Sequence, residues 1–271
     1  MARKHIKKDN TAIIEQKKKE NTQYINKLLN TLPIASWVWP RILLCVLKER
    51  SISYSDEVFD PLWMIAMQGA QPLFMNYSRT DLARNKIAEQ LLGSDFTHVI
   101  MLDIDHAHPV DVIQKLARWF LVDKFAPENE KKNIQVVGGL NFRRSYPYDP
   151  CCHLIGKDGS VYAPAEWDLG LIEVDDIGTG SIMIAREVFE TMQPPWFFNQ
   201  YDQAWRDVWP GEDIGFSHKC REYGIKMYVD TTLTSPHIGT MTIGEEQFKM
   251  AMEKQGHKIA PAEGVEFVHN K

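Results

Sequence analysis

FTHVIMLDIDHAHP, residues 96–109, joins an apolar strand pattern to a cluster of polar side chains. The run from Val99 to Leu102 is apolar throughout, as expected for a central, buried strand of a parallel sheet. Asp103 and Asp105 follow it, and because side chains alternate along an extended chain, both carboxylates should point the same way. In open α/β sheets ligands bind beyond the carboxyl ends of the strands, so the segment predicts a binding site as well as a strand.

Outside this segment, strand and helix patterns alternate along the chain. Apolar runs predict strands, and apolar residues at helical spacing predict helices. This order is typical of a mostly parallel sheet with helices on both faces, so we expect a single-domain, Rossmann-like α/β fold with a small antiparallel excursion within 141–175. The predicted strands span 41–47, 72–77, 99–102, 135–140, 181–185 and 227–230, and the predicted helices span 81–93, 109–121, 186–190 and 211–224. Ser78 or Asp81 is expected to cap the first of these helices, and Pro109 to open the second.

The first thirty residues form a basic segment in an otherwise acidic chain. The whole chain has a net charge of −5, whereas eight Lys/Arg against three Asp/Glu give residues 1–30 a charge of +5. Such an arm can contact an anionic partner such as nucleic acid or a membrane surface. Apolar residues at helical spacing instead favour a helix docked on the protein; they are Tyr24, Ile25, Leu28, Leu29 and Leu32.

Composition and patterning suggest three parts of the chain. We expect a basic helical arm at 1–38, a catalytic domain at 39–245, and a C-terminal helix and tail at 246–271. The chain has 271 residues, of which 44% are hydrophobic and 25% charged, as in soluble globular proteins. We find no transmembrane segment and no secretory signal pattern, and the four cysteines form no CxxC pair, so we expect a cytoplasmic protein with reduced thiols.

Two later segments supply further candidate ligands. Glu212 and Asp213 lie in the first turn of a predicted helix, although the helix dipole alone favours acidic residues there. His237 follows the last predicted strand, and an imidazole nitrogen is a ligand that Mn²⁺ accepts; a lone histidine is more often only hydrogen-bonded. With Asp103 and Asp105, whose mutual repulsion a divalent cation would relieve, these residues predict a metal site. The alternative for the two aspartates is a pair of loop or capping carboxylates.

In this order, the motifs resemble the A-type fold of nucleotide-sugar glycosyltransferases, closest to the family 2-like group. The similarity covers roughly residues 40–240 and lies in the order of four motifs, not in any one of them. The motifs are Asp-x-Asp (the DXD motif) after an apolar strand, Gly178-Thr179-Gly180-Ser181 before a strand, Gly211-Glu212-Asp213 at a helix start, and a strand that leads to His237. The segment 79–85 also resembles the helix start that touches the nucleotide in this group. The compact chain with no membrane helix is unlike a processive polysaccharide synthase.

The resemblance implies a metal-dependent transfer from a nucleoside-diphosphate sugar, with a UDP-sugar the commonest donor. It implies that Mn²⁺ or Mg²⁺ is held against the diphosphate by Asp105 and His237, while Asp103 holds the ribose or a metal-bound water. The expected residues of the base and ribose pocket are Leu47, Glu49, Arg79 and Arg84.

For the transferred sugar, the resemblance favours Asp213 as the base of an inverting reaction, while retaining relatives share the Asp-x-Asp motif and the histidine. Glu212 would orient the acceptor or the sugar, and Gly180 would let the backbone approach the donor sugar. The acceptor would be a hydroxyl group on a glycan, on a protein, or on a hydroxymethylated DNA base, as in some bacteriophage enzymes of this kind. Nucleic-acid contact through the basic arm would suit the last of these.

Three other functions remain open from the sequence. A metallohydrolase would use the four potential ligands between Asp103 and His108, but Pro109 ends that segment, and His106 and His108 are more simply loop residues. A nucleotidyltransferase shares the fold class and the aspartates, but no glycine-rich loop with a lysine follows the first strand. A non-catalytic nucleic-acid binder would explain the basic arm but not the acidic clusters.

Overall fold

One seven-stranded sheet organises the protein in the computed structural model. The structure describes residues 2–48, 56–70, 73–76, 79–201, 207–209, 211–238, 244–254 and 267–268. The strands are β1 (Ile42–Lys48), β2 (Leu73–Asn76), β3 (His98–Asp103), β4 (Val136–Leu140), β5 (Cys152–Ile155), β6 (Val161–Pro164), β7 (Leu171–Val174), β8 (Asp176–Ile177), β9 (Ser181–Ala185), β10 (Gln200–Tyr201), β11 (Asp207–Trp209), β12 (Met227–Thr234) and β13 (Phe267–Val268).

The sheet order is β2-β1-β3-β9-β4-β12-β7, and most of its strands run in one direction. Strands β1, β2, β3, β4 and β12 are parallel to one another, whereas β9 and β7 run the opposite way. The predicted mixed α/β fold with a mostly parallel sheet is therefore confirmed. Within the sheet, β3 is flanked by β1 and β9 and is buried from His98 to Leu102, as its apolar run predicts.

Strand β9 is antiparallel because of the excursion that precedes it. Between β4 and β9 the chain forms β7, which joins the edge of the main sheet, and β5, β6 and β8, which together with the C-terminal β13 make a second sheet of order β13-β6-β5-β8 in which every pairing is antiparallel. The chain then enters β9 at Ser181, which pairs with Leu102 at the carboxyl edge, so β9 runs antiparallel to β3 and β4. The small antiparallel excursion predicted for this region is present.

Helices cover both faces of the main sheet, as predicted. They are α1 (Ala2–Thr31), α2 (Asp56–Met67), α3 (Thr80–Leu92), α4 (Val112–Lys124), α5 (Arg186–Thr191), α6 (Glu212–Glu222) and α7 (Glu245–Lys254), with short 3₁₀ turns at Ile34–Ser36 and Glu128–Glu130. One core cluster contains side chains of α3, α5, α6 and α7 against Cys45 and Met101. The other contains side chains of α1, α2 and α4 against Leu44 and Ile100. Successive residues of β1 and β3 thus alternate between two cores.

Two predicted helix starts are corrected by the structure. Pro109 does not open α4: its carbonyl accepts a hydrogen bond from the Val112 N–H, so it belongs to the turn before the helix. Asp81 does not cap α3, since Arg79 occupies the capping position without a side-chain cap bond and the Asp81 carboxylate pairs with Arg79. Ser78, the other predicted cap, lies outside the described residues.

Helix α1 docks on the α/β core through its second half. Ile25 and Leu28 are buried in the same cluster as α4, and the Tyr24 ring meets the Phe125 ring edge-on at 5.5 Å. The predicted docking stripe is confirmed for these positions, while Leu32 is 39% exposed. None of the described helices is long and apolar enough to cross a membrane.

Candidate active site

A cavity of about 250 Å³ opens at the carboxyl edge of the main sheet. Its wall combines residues that follow β3, β4 and β12 with the loop before β9 and the starts of α3 and α6. The lining residues are Thr80, Arg84, Asp103, Asp105, His106, Asn141, Arg144, Cys151, Gly178, Thr179, Gly180, Glu212, Asp213 and His237. Residues more than a hundred positions apart in sequence therefore share one wall.

Arg84 connects helix α3 to β3, to the start of α6 and to the loop before β9. Its side chain is only 2% exposed, and its guanidinium donates to both carboxylate oxygens of Asp103, at 2.9 and 3.0 Å, and to Glu212 Oε1 at 2.9 Å. A third donor reaches the Thr179 carbonyl at 3.4 Å. A buried guanidinium with two carboxylate partners is a rigid connection, because removing any member would leave a desolvated charge without a partner.

Asp105, His106 and His237 form a candidate metal group in this wall. One ligand atom of each lies within 4.8 Å of the others. The loop after β3 pairs with the extension of β12: the Ile238 N–H donates to the Asp105 carbonyl at 2.7 Å, and His106 bridges to His237. This backbone pairing places the His237 Nε2 atom 4.0 Å from Asp105 Oδ2. Arg144 lies on the other side of Asp105, with a guanidinium nitrogen 3.1 Å from the same oxygen.

Hydrogen bonds fix the orientation of the histidines around this group. His237 Nδ1 donates to the Phe142 carbonyl, which leaves Nε2 with a lone pair toward Asp105. Burial, followed by the charge of His106, lowers the pKa of His237 to about 4, so the ring is neutral near pH 7. His108 is fully buried; its Nε2 contacts the Asp103 carbonyl at 2.8 Å and its Nδ1 contacts Ser235 Oγ at 3.0 Å. It therefore fixes the backbone of the aspartate loop to the end of β12.

The carboxylates of the cavity differ in protonation. Burial alone would raise the pKa of Asp105, but the hydrogen bond from His106 and the nearby charges of His106, His237 and Arg144 hold it well below its usual range. Asp213 shows the opposite effect. Burial, and then the neighbouring Glu212 charge, raise its pKa to about 7. Asp105 thus stays ionised, whereas Asp213 exchanges a proton near neutral pH.

Gly211 sets the position of this second carboxylate. It precedes α6 with φ = 126°, a conformation that residues with a Cβ rarely adopt. The Asp213 carboxylate folds back on its own helix start, where Oδ1 accepts from the Ile214 N–H at 2.9 Å. The first-turn position expected for Glu212 and Asp213 is confirmed, and both side chains line the cavity.

Most of the residues predicted for a site come together, but not all. The cavity wall formed by described residues contains Asp103, Asp105, Gly180, Glu212, Asp213, His237 and Arg84. It does not include Leu47, whose side chain is 1% exposed in the core, or Arg79, whose exposed side chain pairs with Asp81. Glu49 lies outside the described residues.

Asn141, Arg144 and Cys151 line the wall without a predicted role from the sequence, and His106 has a predicted role only in the metallohydrolase alternative. His106 is interpreted there as a loop residue, yet the structure places it beside Asp105 and His237. Asn141 and Arg144 follow β4. The rule that pointed to Asp103, that ligands collect beyond the carboxyl ends of strands, would have pointed to both had it been applied to the predicted strand at 135–140.

Comparisons with known proteins give a fold likeness and no family. No known family model and no curated protein matches this sequence. Among solved structures, A197 from STIV aligns with a TM-score of 0.53 and 17% identity over 76% of this chain and 91% of that chain, which shows a shared fold alone. GalNAc-T7 with UDP, GalNAc and Mn²⁺ aligns with a TM-score of 0.43 and 14% identity over 72% of this chain and 37% of that one. The inositol-1-phosphate CTP transferase from T. maritima aligns with a TM-score of 0.41 and 10% identity over 80% of this chain and 98% of that one.

Proposed function

We propose that the protein is a metal-dependent glycosyltransferase that moves a sugar from a nucleoside-diphosphate sugar, with UDP-sugars as first candidates, to an acceptor hydroxyl group. One observation carries the proposal. A carboxylate–imidazole pair suited to a divalent ion and a carboxyl group with a pKa of about 7 line the same cavity at the carboxyl edge of the sheet.

The residues present fit a divalent transition-metal ion. Asp105 is ionised and His237 is neutral, and the two donor atoms lie 4.0 Å apart. One ion can contact both atoms, because their separation is within twice a metal–ligand distance of roughly 2.0–2.2 Å. A mixed oxygen and nitrogen donor set favours Mn²⁺ over Mg²⁺, which prefers oxygen donors alone. Such an ion would neutralise the negative charge that develops on a leaving diphosphate.

Arg144 and Arg84 would have different electrostatic roles in the site. Arg144 is 57% exposed at the side chain and lies against Asp105, so its guanidinium can also bind diphosphate oxygens. Arg84 is buried between Asp103 and Glu212 and holds both carboxylates in place. Since Arg84 occupies both Asp103 oxygens, Asp103 suits contact with the ribose or a bound water better than direct metal ligation.

Asp213 is the better base of the acidic pair. The Glu212 carboxylate accepts from Arg84, whereas Asp213 is held mainly by a backbone N–H and has a pKa matched to neutral pH. In the proposed reaction the acceptor hydroxyl gives its proton to Asp213 while its oxygen bonds to the anomeric carbon. The bond from that carbon to the diphosphate oxygen breaks on the opposite face, which gives inversion.

The acceptor and the base pocket stay predictions from the sequence. The expected acceptor is a hydroxyl group on a glycan, a protein or a modified DNA base. Nucleic-acid contact through α1 and the contacts of Leu47, Glu49 and Arg79 with the base and ribose likewise stay predictions.

Isothermal titration of UDP into the protein, with Mn²⁺, with Mg²⁺ and with EDTA, tests the proposal. We expect binding that requires the metal and is tighter with Mn²⁺. Asp105→Asn should weaken it at least about tenfold, which corresponds to about 1.4 kcal/mol. Asp95→Asn is the matched control, because Asp95 precedes the opposite end of β3 and is 72% exposed at the side chain. Equal binding in EDTA, or none with either ion, would contradict the proposal.

A further inference from the structure

A hairpin between β4 and β5 joins the wall of the cavity to the protein surface. It spans residues 141–151 and is closed by a hydrogen bond from the Cys151 N–H to the Asn141 carbonyl at 2.8 Å. Both of these residues and Arg144 line the cavity. Burial, and then the charge of Asp213, raise the pKa of the Cys151 thiol. One end of the hairpin therefore lies beside the carboxyl group that we propose as the catalytic base.

The outer part of the hairpin is a specific backbone turn. The Arg143 N–H donates to the Asp149 carbonyl at 2.9 Å, and the Tyr148 N–H donates to the Ser145 carbonyl at 2.8 Å. Tyr148 has φ = 65°, in the left-handed region that residues with a Cβ rarely adopt. Such a conformation costs free energy and persists only where the surrounding contacts determine it. The turn therefore presents its side chains in a fixed arrangement.

The exposed side chains of this turn are cationic and aromatic. Residues 143–146 are all exposed, with Arg144 at 57% of its side chain and Tyr146 at 58%. The Tyr146 ring meets the Tyr148 ring edge-on at 6.2 Å, so a second ring supports the exposed one. Asp149, the carboxylate of the segment, is 3% exposed. The charges that the hairpin presents to solvent are therefore positive, in a chain with a net charge of −5.

We infer that this hairpin binds a single-stranded nucleic acid as the acceptor. A guanidinium group pairs with phosphate oxygens, and the flat face of any base can stack on a tyrosine ring. A neutral glycan would use the ring but not the cations. A base inside a duplex cannot reach a cavity, whereas a single strand can present one. The inference rests on the proposed glycosyltransferase function and names the class of its acceptor.

The orientation of the hairpin favours the acceptor over the nucleotide of the donor. Arg144 lies against Asp105, on the side where the diphosphate would be held. Cys151, at the other end of the segment, lies beside Asp213, which would take the proton of the acceptor hydroxyl group. A strand that delivers its hydroxyl group to Asp213 therefore lies close to Arg143 and Tyr146.

Fluorescence anisotropy with labelled oligodeoxythymidylate and oligouridylate of about 12 nucleotides tests the inference. Tyr146→Ala should weaken binding about tenfold and leave its salt dependence unchanged, because it removes stacking. Arg143→Ala should weaken binding about fivefold and reduce the slope of log K against log salt by about 0.7, because it removes one phosphate contact. Tyr146→Phe keeps the ring and should bind as the wild type does.

Matched controls use exposed residues of the same types far from the cavity. Tyr223 is 41% exposed at the C-terminal end of α6, whose first turn lines the cavity. Arg118 is exposed on α4. Tyr223→Ala and Arg118→Ala should bind both oligonucleotides as the wild type does. A duplex of the same length should bind more weakly than either single strand.

Four results would overturn the inference. They are no binding of either oligonucleotide, duplex binding as tight as single-strand binding, hairpin variants that weaken binding of a maltooligosaccharide or of UDP instead, and binding that is lost only when Lys17, Lys18 and Lys19 of α1 are all replaced by alanine. These titrations contain no nucleotide sugar, so they are separate from the test of the proposed function. A protein that binds the oligonucleotides through the hairpin but binds no UDP would overturn the proposed function and keep the nucleic-acid surface.

Discussion

Asp213 makes the stability of the fold depend on pH. Its pKa is about 7 in the folded protein, against 3.8 as the ordinary value, so between these pH values the folded state holds a proton that the unfolded state has released. Stability therefore falls as pH rises from about 4 through about 7. Above pH 7 the carboxylate is ionised in both states and the full cost of its burial applies.

Asp213→Asn should therefore stabilise the metal-free protein at high pH. At pH 8 we expect a higher free energy of unfolding than for the wild type by about 1–3 kcal/mol, since one pKa unit corresponds to about 1.4 kcal/mol and the carboxyl group is partly exposed. The difference should shrink toward zero near pH 4. Urea unfolding at several pH values measures this difference in unfolding free energy. A variant that is less stable than the wild type at pH 8 would show that the buried, ionised Asp213 carboxylate does not destabilise the fold.

Arg84 offers a second test at the scale of single residues. Arg84→Met should lower the free energy of unfolding by about 3 kcal/mol, because Asp103 and Glu212 keep their charges and lose their cation. Arg79→Met is a control of the same chemistry one turn earlier; its guanidinium is 60% exposed at the side chain, so the loss should stay below about 1 kcal/mol. Equal losses in the two variants would mean that the buried network adds no stability.

Residue identity predicted Asp105, Asp213 and His237 for the candidate site but not Asn141 and His106. Asp105, Asp213 and His237 carry chemistry that spacing and strand ends reveal. Asn141 and His106 are ordinary polar residues in a sequence, and only the packed structure shows that His106 Nε2 and Asn141 Nδ2 have no hydrogen-bond partner among the described residues. Arg84 was expected in the base and ribose pocket, and its burial between two carboxylates depends on tertiary contacts that no local pattern encodes.

At the scale of elements, the sequence predicted the strands more accurately than the starts of the helices. Strand β9 matches the predicted range 181–185, and β3 extends the predicted one by a single residue at each end. The antiparallel direction of β9 depends on where the preceding excursion returns to the sheet. No helix was predicted at 56–67. Helix α2 contains Pro61, and a proline within a segment argues against a helix there. Pro109 shows that a residue favoured in the first turn of a helix can instead lie in the turn that precedes the helix.

Helix α1 gives a prediction at the scale of the element. Leu28 is 3% exposed in the core cluster shared with α4, so Leu28→Ala should cost about 2–4 kcal/mol of stability. Leu32→Ala, just beyond the C-terminal end of α1 and 39% exposed, should change stability by less than about 1 kcal/mol. Chemical denaturation of both variants measures the difference. Similar small losses would show that α1 is not part of the cooperative fold.

For the whole molecule, the carboxyl edge of the sheet explains why distant motifs form one cavity. The residues after β3, β4 and β12 meet there because these strands are parallel, and Arg84 then joins α3 to β3 and α6. Parallel pairing could be predicted from the order of strands and helices. Which side chains would face one another across the cavity could not, because that depends on the backbone pairing of the His106 loop with His237.

The products formed from a UDP-sugar test the central claim most directly. In ³¹P NMR of the protein incubated with UDP-glucose or UDP-galactose, a glycosyltransferase breaks the bond between the anomeric carbon and the diphosphate, even when water is the acceptor. We expect slow release of UDP and free sugar that requires Mn²⁺, is lost in Asp105→Asn, and is retained in Asp95→Asn. Release of UMP and sugar 1-phosphate, which reports cleavage between the phosphates, would contradict the account and favour a nucleotidyltransferase or a hydrolase.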